Sequence, residues 1–239
     1  MKKYLIHILL LISLSAFAQD GDQLLKKSDE QWVPDNSSYI LSMTTYEHSG
    51  KTKVQEFRGF KKGASRNVMI VERPRKIKGS VFLRKEDVIW SYFTTNHRLQ
   101  KVAYQSLFMG TLLSYGDVLA TELSYDYNVT GIKQDDKVYT LTLEPKKGEG
   151  GYGKVEVVLD KNTLLPKERK YYALSGILLK TCEFKKIEMQ GNRPVRIEQE
   201  FYEPLKERKT VVVIDNIKVL SDIPEKYFNE NFIKYLGGR

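Results

Sequence analysis

The residues of this chain that could carry bond-making chemistry are few, and their spacing scatters them. The histidines are His7, His48 and His97, and the single cysteine is Cys182. His48 and His97 fall in different predicted strands. Neither has a second His or a Cys at the separation a metal ion requires, so both read as surface imidazoles. A thiol becomes a nucleophile only beside a base or cation that favours the thiolate. Cys182 sits in a strand pattern next to Phe184 and reads as a packed thiol. The run Gly148 to Gly153 (GEGGYG) looks like a phosphate loop, but it lies between two strands. A phosphate loop opens a helix whose free N–H groups bind the anion. Asp135, Asp136 and Glu149 fall in turns, where a solvated carboxylate is ordinary. No G-x-S-x-G, H-E-x-x-H, Walker or dinucleotide motif occurs. The residues thus predict no enzyme, no metal site and no cofactor. One cysteine also excludes an internal disulfide framework.

The chemistry that remains is apolar. Residues 104–121 (YQSLFMGTLLSYGDVLAT) contain no Lys or Arg, in a chain that is 29% charged with a formal net charge of +9. Leu107, Phe108, Met109, Leu112 and Leu113 form a cluster there, followed by Tyr115. Ser114 to Asp117 can cap a short helix over DVLA, 117–120. Such a cluster suits a mobile plug over an acyl-binding cavity. Met adapts to varied shapes, and Gly110 and Gly116 permit hinge movement. An empty cavity must be covered, because a large exposed apolar patch invites aggregation. The competing reading is a permanent core plug with no ligand.

The elements that must position this cluster are mostly strands. Gln19 to Trp32 reads as one helix, with Leu24, Leu25, Ser28 and Trp32 on one face; Pro34 to Asn36 end it. From there the period is two. Strands are predicted at 38–48, 52–62, 65–74, 78–85, 87–95 and 97–103, then at 122–132, 137–145, 153–161, 164–174, 176–189, 193–204 and 206–220. Turn residues separate them at the spacing of an antiparallel meander. Parity in 87–95 sets Val88, Trp90, Tyr92 and Thr94 on one face. Trp90 and Tyr92, with Phe82, are expected to wall the cavity. Residues 224–235 read as a closing helix with Pro224 near its first position. One curved antiparallel sheet follows, an incomplete half β-barrel with one solvated face, closed by a helical plug.

Residues 1–18 have the form of a secretory signal. Lys2 and Lys3 precede an apolar run from Leu5 to Leu14, and Ala16-Phe17-Ala18 is a small-x-small cleavage site before Gln19. The run is about ten residues, and a span of the bilayer core needs roughly 20. The reading is an exported protein cut after Ala18, with 19–239 as a single domain. Without Lys2 and Lys3 the net charge is +7. The basic residues are spread over many strands and turns, as on a solvated sheet face, although anionic headgroups would also be attracted. Nucleic acid is not an expected partner for an exported protein.

The run KGSVFLRKEDVIWSYFTTNHRLQKVAYQSLFMGTLLSYGDVLA, 78–120, resembles the outer membrane lipoprotein-sorting protein family of the LolA-like superfamily. The resemblance rests on Gly79 to Lys85, Asp87 to Tyr92 and Phe108 to Val118, and KVEVVLDKNTLLPKERKYY, 154–172, adds to it. It implies an incomplete barrel around a hydrophobic cavity and non-catalytic binding of lipid or acylated lipoprotein in the periplasm, as a carrier or chaperone. It also implies hand-over with an inner-membrane RND-type exporter or an outer-membrane acceptor. The expected carrier is a monomer. The rival readings are a periplasmic adaptor without lipid cargo and a hydrolase of envelope lipid.

Overall fold

A computed structural model describes residues 21–32, 34–120, 122–146 and 151–237. The predicted signal segment 1–18 and its cleavage junction lie outside the described residues, as do 148–150 of the glycine-rich run.

Residues 21–32 form helix α1, which buries Leu25, Ser28 and Trp32 as its spacing predicts. Six strands follow: β1 (Ser37–Tyr46), β2 (Thr52–Lys62), β3 (Arg66–Arg73), β4 (Val81–Lys85), β5 (Val88–Phe93) and β6 (Arg98–Val102). After the segment 103–126 come β7 (Tyr127–Gln134), β8 (Val138–Pro145), β9 (Lys154–Asp160), β10 (Pro166–Tyr172), β11 (Leu178–Gln190), β12 (Arg193–Glu203) and β13 (Arg208–Val219). Among the described residues these thirteen strands make one sheet, ordered β6-β5-β4-β3-β2-β1-β13-β12-β11-β10-β9-β8-β7. Every neighbouring pair is antiparallel.

This order has one consequence that governs the site. The chain meanders outward to one edge, β6, and re-enters the sheet at the opposite edge, β7. The joining segment 103–126 must therefore cross the inner face of the curved, unclosed sheet. The predicted helical plug is this crossing, but it is mostly turns. It holds helix α2 (Tyr115–Leu119) and a single turn, α3 (Leu123–Asp126). The strand predicted from 122 begins only at Tyr127, because α3 comes first. Ser114 caps α2 in a reciprocal box. Its Oγ accepts from Asp117 N–H (3.1 Å), and Asp117 Oδ2 accepts from Ser114 N–H (2.6 Å).

Two hydrophobic clusters lie on opposite faces of the first half of the sheet. Strand β3 (RNVMIVER) sends Met69 and Val71 to the inner cluster and Val68 and Ile70 to the outer one. Burial of both faces explains why this strand reads as a continuous apolar run. The outer cluster is capped by residues 221–237. There the predicted closing helix is replaced by two 3-10 turns, Glu225–Phe228 and Ile233–Tyr235. Pro224 precedes the first turn, and the Asn229 side chain accepts from Asn231 N–H (2.9 Å) between them. Each piece is too short to propagate as an α-helix.

Candidate functional site

Phe108 anchors the crossing. Its ring is fully buried, with centroids 5.4 Å from Phe57, 4.9 Å from Phe82 and 5.0 Å from Tyr115. Tilted and edge-on contacts of this kind are favourable beyond the area they bury. The tip that carries it is tightly built. Leu107 bridges Ser114, Phe108 N–H donates to Leu113 O (2.7 Å), and Thr111 N–H donates to Phe108 O (2.9 Å). Met109 and Gly110 both have positive φ, 49° and 74°, as a type I′ turn requires. Gly116 is no hinge. A Cβ there would sit 1.9 Å from the Tyr104 ring, so glycine is needed for close packing.

The rest of the crossing is held by polar contacts, and their signs are segregated. The crossing supplies Asp117, Glu122 and Asp126, and the sheet supplies the cations. Lys61 of β2, fully buried, donates to Glu122 Oε1 (2.7 Å) and to Asp35 Oδ1 (2.6 Å). Arg84 of β4 meets Asp126 Oδ1 at 2.6 Å, and Tyr104 O–H donates to Asp126 Oδ2 (2.9 Å). Lys180 of β11 pairs with Asp117, which also accepts from Tyr152 O–H (2.8 Å). Asn67 Nδ2 donates to Leu119 O (3.2 Å) and is itself held by Tyr39 O–H (2.7 Å). From α1, Asp29 accepts Ser124 N–H at 2.7 Å. Burial pushes the Asp29 carboxyl up to about 6, against the pull of Arg169. The Arg169 guanidinium lies against both the Trp32 and Phe184 rings, 4.9 and 5.2 Å from their centroids, and the two rings meet edge-on.

Beneath the crossing lies a small apolar cavity of about 30 Å³. Its floor is the middle of the sheet: Leu41 and Met43 of β1, Phe201 of β12, and Val212 and Ile214 of β13. Trp32 closes one side, and Leu113 and Val118 form the roof. Its polar lining includes Gln199 and Asp117. Beyond Asp117, a second hollow of about 170 Å³ is lined by Leu107, Leu112, Tyr152, Leu179 and Lys180 among others. The Asp117–Lys180 pair stands between the two.

The structure brings Phe82, Phe108, Leu112, Leu113 and Tyr115 into the inner cluster, with Met109 partly buried against it. Leu107 is exposed on the tip. Trp90 and Tyr92 are not in the cavity wall. Trp90 pairs across from Leu83 and Tyr92 from Val81, so both belong to the outer face, where they pack with the C-terminal turns. Their parity was read correctly, but the face was inverted. The inner face of β5 carries Ile89, Ser91 and Phe93. Sequence reasoning also missed the real floor. The alternation Tyr39, Leu41, Met43 was the available signal, and nothing local linked it to β12 and β13. Lys61, Arg84 and Lys180, read as part of a solvated face, are buried.

The residues first considered for catalysis are occupied otherwise. Cys182 is buried, and burial pushes its thiol up to about 12. His48 is exposed with Glu207 at 3.2 Å, and His97 Nδ1 lies 3.0 Å from Tyr92 O–H. Asp135 caps its turn by accepting from the N–H groups of Lys137 and Val138, which lowers its pKa. Among the described residues no group of three His, Cys, Asp or Glu side chains could hold a metal ion, and no helix is long and apolar enough to cross a membrane.

The open antiparallel sheet with an inner-face crossing is the LolA-like fold. A LolA superfamily protein from Nitrosomonas europaea is similar over 90% of this chain and 99% of its own, with 21% identity and a TM-score of 0.76. A DUF1329 family protein from Desulfovibrio piger ATCC 29098 gives 21% identity and a TM-score of 0.78 over 91% and 99%. A domain described as an outer membrane lipoprotein-sorting protein, from Vibrio parahaemolyticus, gives 20% and 0.77 over 91% and 99%. No curated protein matches the sequence. The family model that matches, described as "Uncharacterized protein", spans residues 63–235, and the chain belongs to that family.

Proposed function

We propose that this protein is an exported, non-catalytic carrier that takes an acyl chain of a lipid or lipid-modified polypeptide into the cavity beneath the 103–126 crossing. The observation that carries this reading is the pairing of an apolar cavity with a roof that side chains, apolar and charged, and not strand pairing tie to the sheet. Such a roof can lift without unmaking any strand pairing. Each buried methylene of a chain contributes about 0.8 kcal/mol toward displacing it. The similarity to the Vibrio domain described as lipoprotein-sorting supports the same class of cargo.

In this reading residues 1–18 direct export to the periplasm and are removed after Ala18, and 19–239 act as one monomeric domain. Hand-over to or from an RND-type exporter or an outer-membrane acceptor completes the cycle. The test is a titration with a fluorescent fatty acid. The wild type binds saturably, and Val212→Glu, which puts a charge on the cavity floor, weakens binding at least about tenfold. Equal affinity in a folded Val212→Glu variant overturns the reading.

A further inference from the structure

Seven of the ten exposed large hydrophobic residues among those described lie at one end of the sheet. Leu174 (93% exposed) and Ile177 sit in the β10–β11 turn, Leu205 (68%) in the β12–β13 turn and Leu107 on the crossing tip; the rest are on strand ends beside them. These pieces adjoin one another. The second hollow joins Leu107 to Leu179 and Glu203, and Gly110 of the tip faces Lys53 at the start of β2. Isolated exposed apolar residues are ordinary, but a concentration at one rim marks an interaction surface. The β10–β11 turn and its flanks, YALSGILL at 172–179, carry no charge at all.

The charges around these tips have an orientation. Glu47 and Glu203 are tucked inward under Lys53, Lys206 and Arg208, with their side chains 19% and 16% exposed. The lysines point outward, Lys206 at 60% and Lys53 at 51%. The outermost layer is thus leucine and isoleucine tips among outward ammonium groups, with one exposed carboxylate, Glu207, paired to His48. That arrangement complements a surface with phosphates outside and hydrocarbon just beneath.

We propose that this rim docks on an anionic phospholipid bilayer. Leu107, Leu174, Ile177 and Leu205 enter the interfacial layer, and the surrounding lysines meet the phosphates. The second hollow opens among these residues, so docking sets it against the membrane. The proposal rests on the rim and stands apart from the cavity reading.

The test is sedimentation of the exported protein with mixed phosphatidylglycerol–phosphatidylcholine vesicles. The wild type partitions to the vesicles, and added salt lowers the partition several-fold. The double variant Leu174→Asp, Leu205→Asp lowers it at least about tenfold. Met189→Asp, an exposed apolar residue at the opposite end, leaves it unchanged. Both altered leucines are solvent-exposed, so the circular dichroism spectrum stays that of the wild type. Wild-type partition in the double variant, equal loss in Met189→Asp, or no vesicle binding by the wild type would each overturn the proposal. The last of these, with saturable binding to a purified protein instead, would assign the rim to a protein partner.

Discussion

The two faces of the sheet are covered in different ways. On the outer face, Ile223, Phe228, Ile233 and Leu236 press onto Val68, Ile70, Val81 and Leu83. Salt bridges there, such as Arg66–Glu225 and Lys62–Glu225, sit at the solvent edge, where they contribute little. On the inner face, the crossing keeps apolar contacts at Phe108 and Leu113 but is also pinned through buried charges to β2, β4 and β11. An apolar cover of ordinary residues would be as stable, since buried ion pairs seldom add net stability over a hydrophobic isostere. The difference suits a cover that must have one closed position and must also leave it. In the proposed reading the outer cover is permanent packing and the inner one is a latch.

The largest effect should come from breaking that latch. Lys61→Met leaves Glu122 buried without its cation and is expected to cost about 3–5 kcal/mol. The double variant Lys61→Met, Glu122→Leu should recover most of this. Chemical denaturation of the three proteins checks it, and a double variant as unstable as the single one would mean the pair acts by packing rather than charge.

A pH dependence follows from Asp29, which ties α1 to the crossing. Its carboxyl is raised from 3.8 to about 6, first by burial. A raised carboxyl favours the folded state when protonated. The contribution is therefore fully present below about 3.8 and is lost as pH rises through about 6. Its size is on the order of 2–3 kcal/mol. Asp29→Asn should remove that part of the slope between pH 4 and 6. Denaturation midpoints at both ends of the window decide it; parallel profiles for variant and wild type would show that Asp29 does not titrate there.

On the outer face, Leu236→Ala removes a buried side chain near the end of the described chain, where neighbours can collapse. The expected cost is about 2 kcal/mol, the low end for such a truncation. Fatty-acid binding should stay at the wild-type value. A parallel loss of binding would mean that the two covers are coupled through β3 and β4, and the contrast drawn above would fail.

Much of the fold was legible because it is written locally. Alternation and turn residues mark each strand of a meander, and a lack of Lys and Arg marked the crossing. Ser114 and Asp117 announced α2 through their capping spacing. What was not legible depends on which strands come together. Trp90 and Tyr92 share a parity that sequence exposes, but the choice of inner or outer face is fixed by the C-terminal turns more than a hundred residues away. Lys61, Arg84 and Lys180 look like ordinary surface cations in their strands. Their carboxylate partners lie between 26 and 63 residues off. The cavity floor joins β1 to β12 and β13, and only closing the meander at the β1–β13 pair brings Met43 beside Val212.

The central claim is that the inner cover lifts to admit an acyl chain. Native mass spectrometry of the purified protein, with lipid extraction of the same sample, tests it most directly. The account predicts a bound phospholipid or acylated peptide, carried through purification or taken up on incubation, and released on denaturation. A clean protein mass after incubation with both lipid and lipopeptide would contradict it and leave the crossing as a permanent part of the core.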